Sequence, residues 1–175
     1  MGELKCVLSD TKYKNQYLDM IEECKDDIKV KGFEILVPIS DNITFENDIA
    51  KLLDLHEGRN LPDGWVSAST FWMIDDLFSK VLGVVSVRHD LTEQLRFRGG
   101  HIAYYVRPSE RRKGYATNML TFALDFCRQL GIDRVLITCS KDNVYSKKVT
   151  QNNGGIFDSE DIEDGHEFQR YWFNL

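Results

Sequence analysis

Apolar residues fall along this chain in two different rhythms, and the switch between them predicts the order of its elements. Tyr13, Tyr17, Met20, Ile21 and Cys24 recur at helical spacing, with Ser9 or Asp10 placed to cap a first helix. Ile49, Leu52, Leu53 and Leu55 predict a second helix over Phe45 to His56, with Thr44 as its N-cap. The run Gly58-Arg59-Asn60-Leu61-Pro62-Asp63-Gly64 breaks the period and reads as a loop.

From Trp65 the rhythm becomes that of strands. Val66 to Ile74 is rich in β-branched and aromatic residues and closes at Asp75-Asp76. Lys80 to His89 alternates, with Val81, Gly83, Val85 and Val87 on one side. Leu95 to Gly100 reads as a turn and Gly100 to Val106 as a strand. Thr117 to Leu130 is amphipathic and stops at Gly131, and Arg134 to Cys139 is a further strand. Ile156-Phe157 and Glu167 to Phe173 suggest a terminal hairpin around Glu163-Asp164-Gly165. The sum is an α+β fold: a mixed, mostly antiparallel twisted sheet of about six to seven strands, flanked by about four helices.

Length and charge narrow the function. At 175 residues the chain fits one domain, residues 1–175, with enough length to bury a core. A net charge of -6 argues against nucleic acid, which needs a broad basic face, and fits an amine acceptor better. No apolar run approaches the ~20 residues of a membrane span, and the N-terminus lacks a secretory signal pattern. Cys6, Cys24, Cys127 and Cys139 show no metal-ligand spacing, so no metal is expected. Cys127 and Cys139 sit in apolar patterns, where cysteine behaves as a small hydrophobe. The expectation is a reduced, cytoplasmic protein; the sequence leaves a homodimer open.

One segment stands against the acidic balance. Val106-Arg107-Pro108-Ser109-Glu110-Arg111-Arg112-Lys113-Gly114-Tyr115-Ala116 has the form strand end, basic turn, helix start. A helix N-terminus leaves its first N–H groups without partners and carries about half a positive charge. Gly114 permits a tight turn, Ala116 keeps bulk away from an approaching anion, and Arg111, Arg112 and Lys113 add three charges. Tyr115, Ala116 and Thr117 supply main chain at the helix start. This is how a backbone holds a diphosphate. The alternative is a basic surface turn that merely caps a helix.

Arg111-x-x-Gly114-x-Ala116 resembles the Q/R-x-x-G-x-G/A signature of the GCN5-related N-acetyltransferases (GNAT). Its setting resembles the family too. Strand, turn and helix are followed by Arg134 to Cys139 and by the segment from Asp142-Asn143 to Asn153-Gly154-Gly155. That order is similar to the family's fourth strand, third helix, fifth strand and fourth helix. The likeness spans Gly83 to Phe173, about half the chain. Leu61-Pro62-Asp63-Gly64-Trp65-Val66 and Ser69-Thr70-Phe71-Trp72 further resemble a bacterial subgroup of predicted acetyltransferases. Trp65 is a candidate to wall an acceptor pocket and Asp63 to meet a cation, while Trp65, Phe71 and Trp72 as sheet anchors are the plainer alternative.

The resemblance implies acetyl transfer from acetyl-CoA to an amine of a small molecule or peptide. It implies that two strands splay apart and that their unpaired backbone, at Tyr104, Tyr105 and Val106 and at Ile137, Thr138 and Cys139, bonds the pantetheine arm. It places Arg111 to Thr117 on the diphosphate, and Asn143 and Ser146 beside the cofactor. Val106 N–H is the candidate oxyanion donor. Relatives often place a proton-donating tyrosine seven or eight residues past the asparagine. Here those positions hold Thr150 and Gln151, so Tyr145 becomes the candidate acid. For the base, His101, His89 with Asp90, and Glu93 are candidates. The missing tyrosine keeps a second reading open, a non-catalytic acyl-CoA-binding regulatory domain. A nucleotide-phosphate module is disfavoured because G-x-x-x-x-G-K-[ST] is absent.

Overall fold

Two antiparallel sheets meet at a single point and part from there. A computed structural model describes residues 4–31, 45–77 and 80–175. The first sheet holds β1 (Leu4–Leu8), β2 (Ala68–Asp75), β3 (Lys80–Arg88) and β4 (Ile102–Val106), in that order. The second holds β5 (Arg134–Ser140), β7 (His166–Asn174) and β6 (Ile156–Glu163), with β7 central. The helices are α1 (Lys14–Lys31), α2 (Phe45–Glu57), α3 (Glu93–Phe97), α4 (Tyr115–Gln129) and α5 (Val144–Asn152). Seven strands and five α-helices among the described residues match the expected α+β class.

Both faces of the first sheet are buried. On one, Tyr17, Met20 and Cys24 of α1 with Phe45 and Ile49 of α2 cover Trp72, Ile74, Val84 and Tyr105. Tyr17 stacks on Trp72 at 4.3 Å between ring centroids, an arrangement that adds to plain burial. On the other face, Met119, Leu120, Ala123 and Leu124 of α4 cover Met73, Leu82, Val85 and Ile102, and join Val135 and Phe173 of the second sheet. A Cβ on Gly83 would collide with the Tyr105 carbonyl and crowd Met119, so glycine there lets α4 come down onto the sheet.

Three elements depart from the sequence pattern. β1 shows no clear alternation because both its faces are used: Val7 packs with α1 and α2, while Leu4, Cys6 and Leu8 pack with the α4 side. The expected turn over Leu95 to Gly100 contains α3, capped by Thr92, whose Oγ1 accepts the Leu95 N–H at 3.2 Å. Helix α4 begins at Tyr115, two residues before the apolar period makes it visible. Asp10 supplies the first N-cap, for a 3-10 turn over Thr11–Tyr13 that leads into α1. Thr44 lies outside the described residues.

The meeting point is at the start of β4. Gly100 bridges to Ile137, and the His101 N–H donates to the Leu136 carbonyl at 2.7 Å. The Leu136 N–H donates back to His101 Nδ1 at 2.9 Å, and the Gly99 N–H donates to Thr138 Oγ1 at 3.0 Å. Gly100 has φ 69°, and a Cβ there would strike the Leu136 carbonyl. Past this vertex no backbone hydrogen bond joins β4 to β5 among the described residues.

Candidate active site

Backbone alternation decides which groups line the gap between β4 and β5. The Arg88 N–H donates to His101 O at 2.7 Å and the Arg107 N–H to Leu82 O at 3.0 Å. In an antiparallel ladder such pairs alternate with residues that turn their polar groups the other way. Tyr105, midway in that series, is therefore committed to β3. Ile102, Tyr104 and Val106 point their N–H and C=O groups at the gap. The same count on β5 runs from the Lys141 N–H to Glu167 O at 3.0 Å and commits Ile137 and Cys139 to β7. Thr138 and Ser140 then face the gap. Of the residues named from sequence, Tyr104, Val106 and Thr138 line it with main chain; Tyr105, Ile137 and Cys139 do not.

At its open end the gap runs into the basic turn. Pro108–Glu110 forms a 3-10 turn, Arg112 sits at φ 62° and Gly114 at φ 88°. The reversal at Arg112 and Gly114 brings the start of α4 round so that its first N–H groups face outward. The N–H groups of Arg112 to Thr117 make no hydrogen bond among the described residues, as a helix start leaves them. Nothing lies within 4 Å of the place a Gly114 Cβ would occupy, so the space before this row of donors is open. Such a row of N–H groups under a helix dipole is an anion seat.

The three basic side chains are not equivalent. Arg111 is ion-paired with Asp27 of α1, donates from Nη2 to the Tyr105 hydroxyl at 3.0 Å and from Nε to Val106 O at 3.2 Å. Lys113 donates to Glu110 at 2.8 Å, a bond that raises its pKa. Arg112 makes no ion pair among the described residues and is exposed. It is the cation left for an incoming anion.

Helix α5 closes the other side. Asn143 is its N-cap, with Oδ1 accepting the Ser146 N–H at 3.0 Å. The Ser146 hydroxyl in turn lies 3.0 Å from the hydroxyl of Tyr104, which reaches over from β4. Burial pushes the Tyr104 pKa up, opposed by the Ser146 bond, so the phenol stays protonated at neutral pH. Thr150 is fully buried beneath this pair, its hydroxyl close enough to the Tyr104 phenol to oppose that rise as Ser146 does. Tyr145 is 68% exposed on the outer side of the helix turn. Tyr104 was named in sequence only for its backbone. Its side chain reaches Ser146, and strand alternation at positions 102, 104 and 106 is the signal that points to it.

The histidines lie apart from the gap's mouth. His101 is buried at the vertex, its Nδ1 occupied by the Leu136 N–H, and burial followed by nearby Arg96 brings its pKa down to about 4. His89 and His56 flank the buried Ser69 hydroxyl, each with a ring nitrogen at 2.7 Å. Glu93 begins α3. Trp72 and Phe71 are core anchors of β2, and Trp65 is 56% exposed.

A four-stranded and a three-stranded sheet parting over an anion seat are the arrangement that the resemblance to an acyl-CoA-binding transferase family implies. The model of the acetyltransferase (GNAT) domain matches residues 46–156. The chain belongs to the GNAT acetyltransferases and is an acetyl-CoA-dependent N-acetyltransferase. A search of curated proteins finds no match. Among solved structures the chain is similar to RimL, the ribosomal L7/L12 alpha-N-protein acetyltransferase in complex with coenzyme A: TM-score 0.73, 16% identity, covering 98% of this chain and 94% of that one. It is similar to the ribosomal-protein-S5-alanine acetyltransferase from Vibrio fischeri at TM-score 0.73 and 16% identity, with 99% and 94% covered. The microcin C7 self-immunity acetyltransferase MccE, in complex with acetyl-CoA and AMP, gives 0.71 and 19%, with 99% and 93% covered. At these identities the likeness is one of fold. No helix among the described residues is long and apolar enough to cross a membrane.

Proposed function

We propose that residues 1–175 act as one domain that acetylates a polypeptide amine in the cytoplasm. The observation that carries the site assignment is the gap itself: the main chain of Tyr104 and Thr138 and the N–H groups of Val106 and Ser140, outside both ladders among the described residues, lead straight to the N–H row of Arg112 to Thr117. The pantetheine amides would pair with the former and the diphosphate with the latter, aided by Arg112. The N–H of Val106, turned into the gap and not toward β3, would stabilise the thioester oxygen as it gains charge. The neutral amine attacks the acetyl carbon, the C–S bond breaks as the departing thiolate takes a proton from the Tyr104–Ser146 hydroxyl pair, and the proton shed by the amine nitrogen passes to solvent, which reprotonates the pair. Asn143 holds the turn that presents Ser146. His101, neutral and bonded through its only lone-pair nitrogen, serves the vertex and not the amine's proton.

A polypeptide acceptor is supported by two of the similar structures, whose names specify ribosomal proteins. A reducing compartment is supported by four cysteines that all stay unpaired. A thiol-release assay with acetyl-CoA tests the reading against peptides with free and blocked N-termini and a panel of small amines. The proposal predicts turnover that needs a free peptide amine. Turnover confined to small amines would refute the acceptor class; CoA binding without turnover on any amine would favour the non-catalytic reading.

A further inference from the structure

Helix α1 runs beside the turn that follows β4, and its carboxylates bond alternate residues of that turn. Asp19, Glu23 and Asp27 are four apart and so share one face of the helix. Arg107, Ser109 and Arg111 are two apart along the turn. Arg107, 4% exposed, donates from Nη2 to Asp19 at 3.0 Å and from Nε to Glu23 at 2.8 Å. Glu23 also accepts the Ser109 N–H at 2.6 Å and the Ser109 hydroxyl at 3.1 Å. Asp27 pairs with Arg111 and accepts the Tyr105 hydroxyl at 3.0 Å. The neighbouring face of α1 is anchored in the core by Tyr17, Met20 and Cys24.

We infer that Glu23 and Asp27 are positioning residues of the acetyl-CoA site, setting the path of the turn from behind while touching no cofactor atom. The inference rests on reading Arg112 to Thr117 as the diphosphate seat. An exposed turn loses backbone entropy for each residue it orders. Glu23 and Asp27 meet that cost before the cofactor arrives. Arg107 cannot leave, because a cation buried this far needs both its carboxylates. Arg111 is held by Asp27, Tyr105 and Val106 O at once, which fixes the strand end next to the oxyanion donor. Pre-ordering of this kind shows as affinity.

Charge alone predicts the opposite sign, which makes the inference easy to test. A carboxylate behind an anion seat repels the anion, so removing it should tighten binding unless the carboxylate positions the turn. Calorimetric titration of CoA into the full chain would compare the wild type with Asp27→Asn and Glu23→Gln, using Glu22→Gln, an exposed neighbour paired with Lys25, as control. Each positioning variant should bind CoA about tenfold more weakly, the loss of roughly one charge-assisted bond. The loss should appear in the KM for acetyl-CoA more than in kcat, and the salt dependence of binding should be unchanged because no phosphate ligand is lost. Equal or tighter binding by Asp27→Asn overturns the inference, and so does an equal loss in Glu22→Gln. If Glu23→Gln fails to fold, Asp27→Asn, at a partly exposed pair, decides alone. A wild type that binds no CoA overturns the diphosphate seat and this inference with it.

Discussion

The hydroxyls of Tyr104 and Ser146 meet at 3.0 Å across the gap, one carried by β4 and the other by α5. The two sheets share no ladder at this depth, so this contact ties the first sheet to α5 over the cofactor's path. In the proposed mechanism it also supplies the proton for the departing thiolate. Tyr104→Phe and Ser146→Ala should each lower kcat about a hundredfold, the low end of what one general acid contributes. The double variant should lose little more, because the pair acts as a unit. CoA affinity should change less than threefold. Steady-state kinetics with a binding titration checks this; independent, multiplying losses would separate the two hydroxyls.

Gly114 marks the tightest point of the turn. At φ 88° it occupies a region that β-branched residues avoid, and its Cβ position opens on the anion seat. Gly114→Val should weaken acetyl-CoA binding at least tenfold. Strain of about 1–2 kcal/mol should lower Tm by only a few degrees. Titration and thermal melting of one sample measure both.

His101 makes stability depend on acid. Its folded pKa, about 4, lies below the ordinary value of 6.5, so the unfolded chain binds the extra proton first. The His101 contribution is present above pH 6.5 and is lost as pH falls toward 4. Melting curves across pH 4 to 7 should show this loss in the wild type. His101→Asn should show a smaller slope in that window and a lower Tm at pH 7, because the Leu136 N–H loses its acceptor.

Gly100 holds the vertex. Gly100→Ala places a methyl against the Leu136 carbonyl at a positive φ, so it should cost about 2 kcal/mol or more and push β4 from β5. Denaturant unfolding gives the first quantity. Weaker CoA binding in the folded fraction gives the second.

Much of this architecture could be read from the chain before its coordinates. The strand, turn and helix from Ile102 to Gln129 show in sequence because one face of each is apolar and Gly114 punctuates them. Phe45 to Glu57 is legible for the same reason. β1 was not foreseen, since burial on both faces erases alternation. α3 was not foreseen, since five residues are too few to show a helical period. The site divides similarly. The diphosphate turn is local and so appears as a motif. Contacts such as Tyr104 with Ser146, or Asp27 with Arg111, join residues 42 and 84 apart, and no local pattern records them.

The central claim is that the cofactor lies along backbone groups left unpaired by the splay. Amide hydrogen exchange read residue by residue, with and without CoA, tests it most directly. CoA should slow exchange at Tyr104, Val106, Thr138 and Arg112 to Thr117, while Tyr105 and Arg107, already bonded to β3, stay unchanged. Protection that misses Val106 and the Arg112 to Thr117 row, or that falls equally on Tyr105, would contradict it.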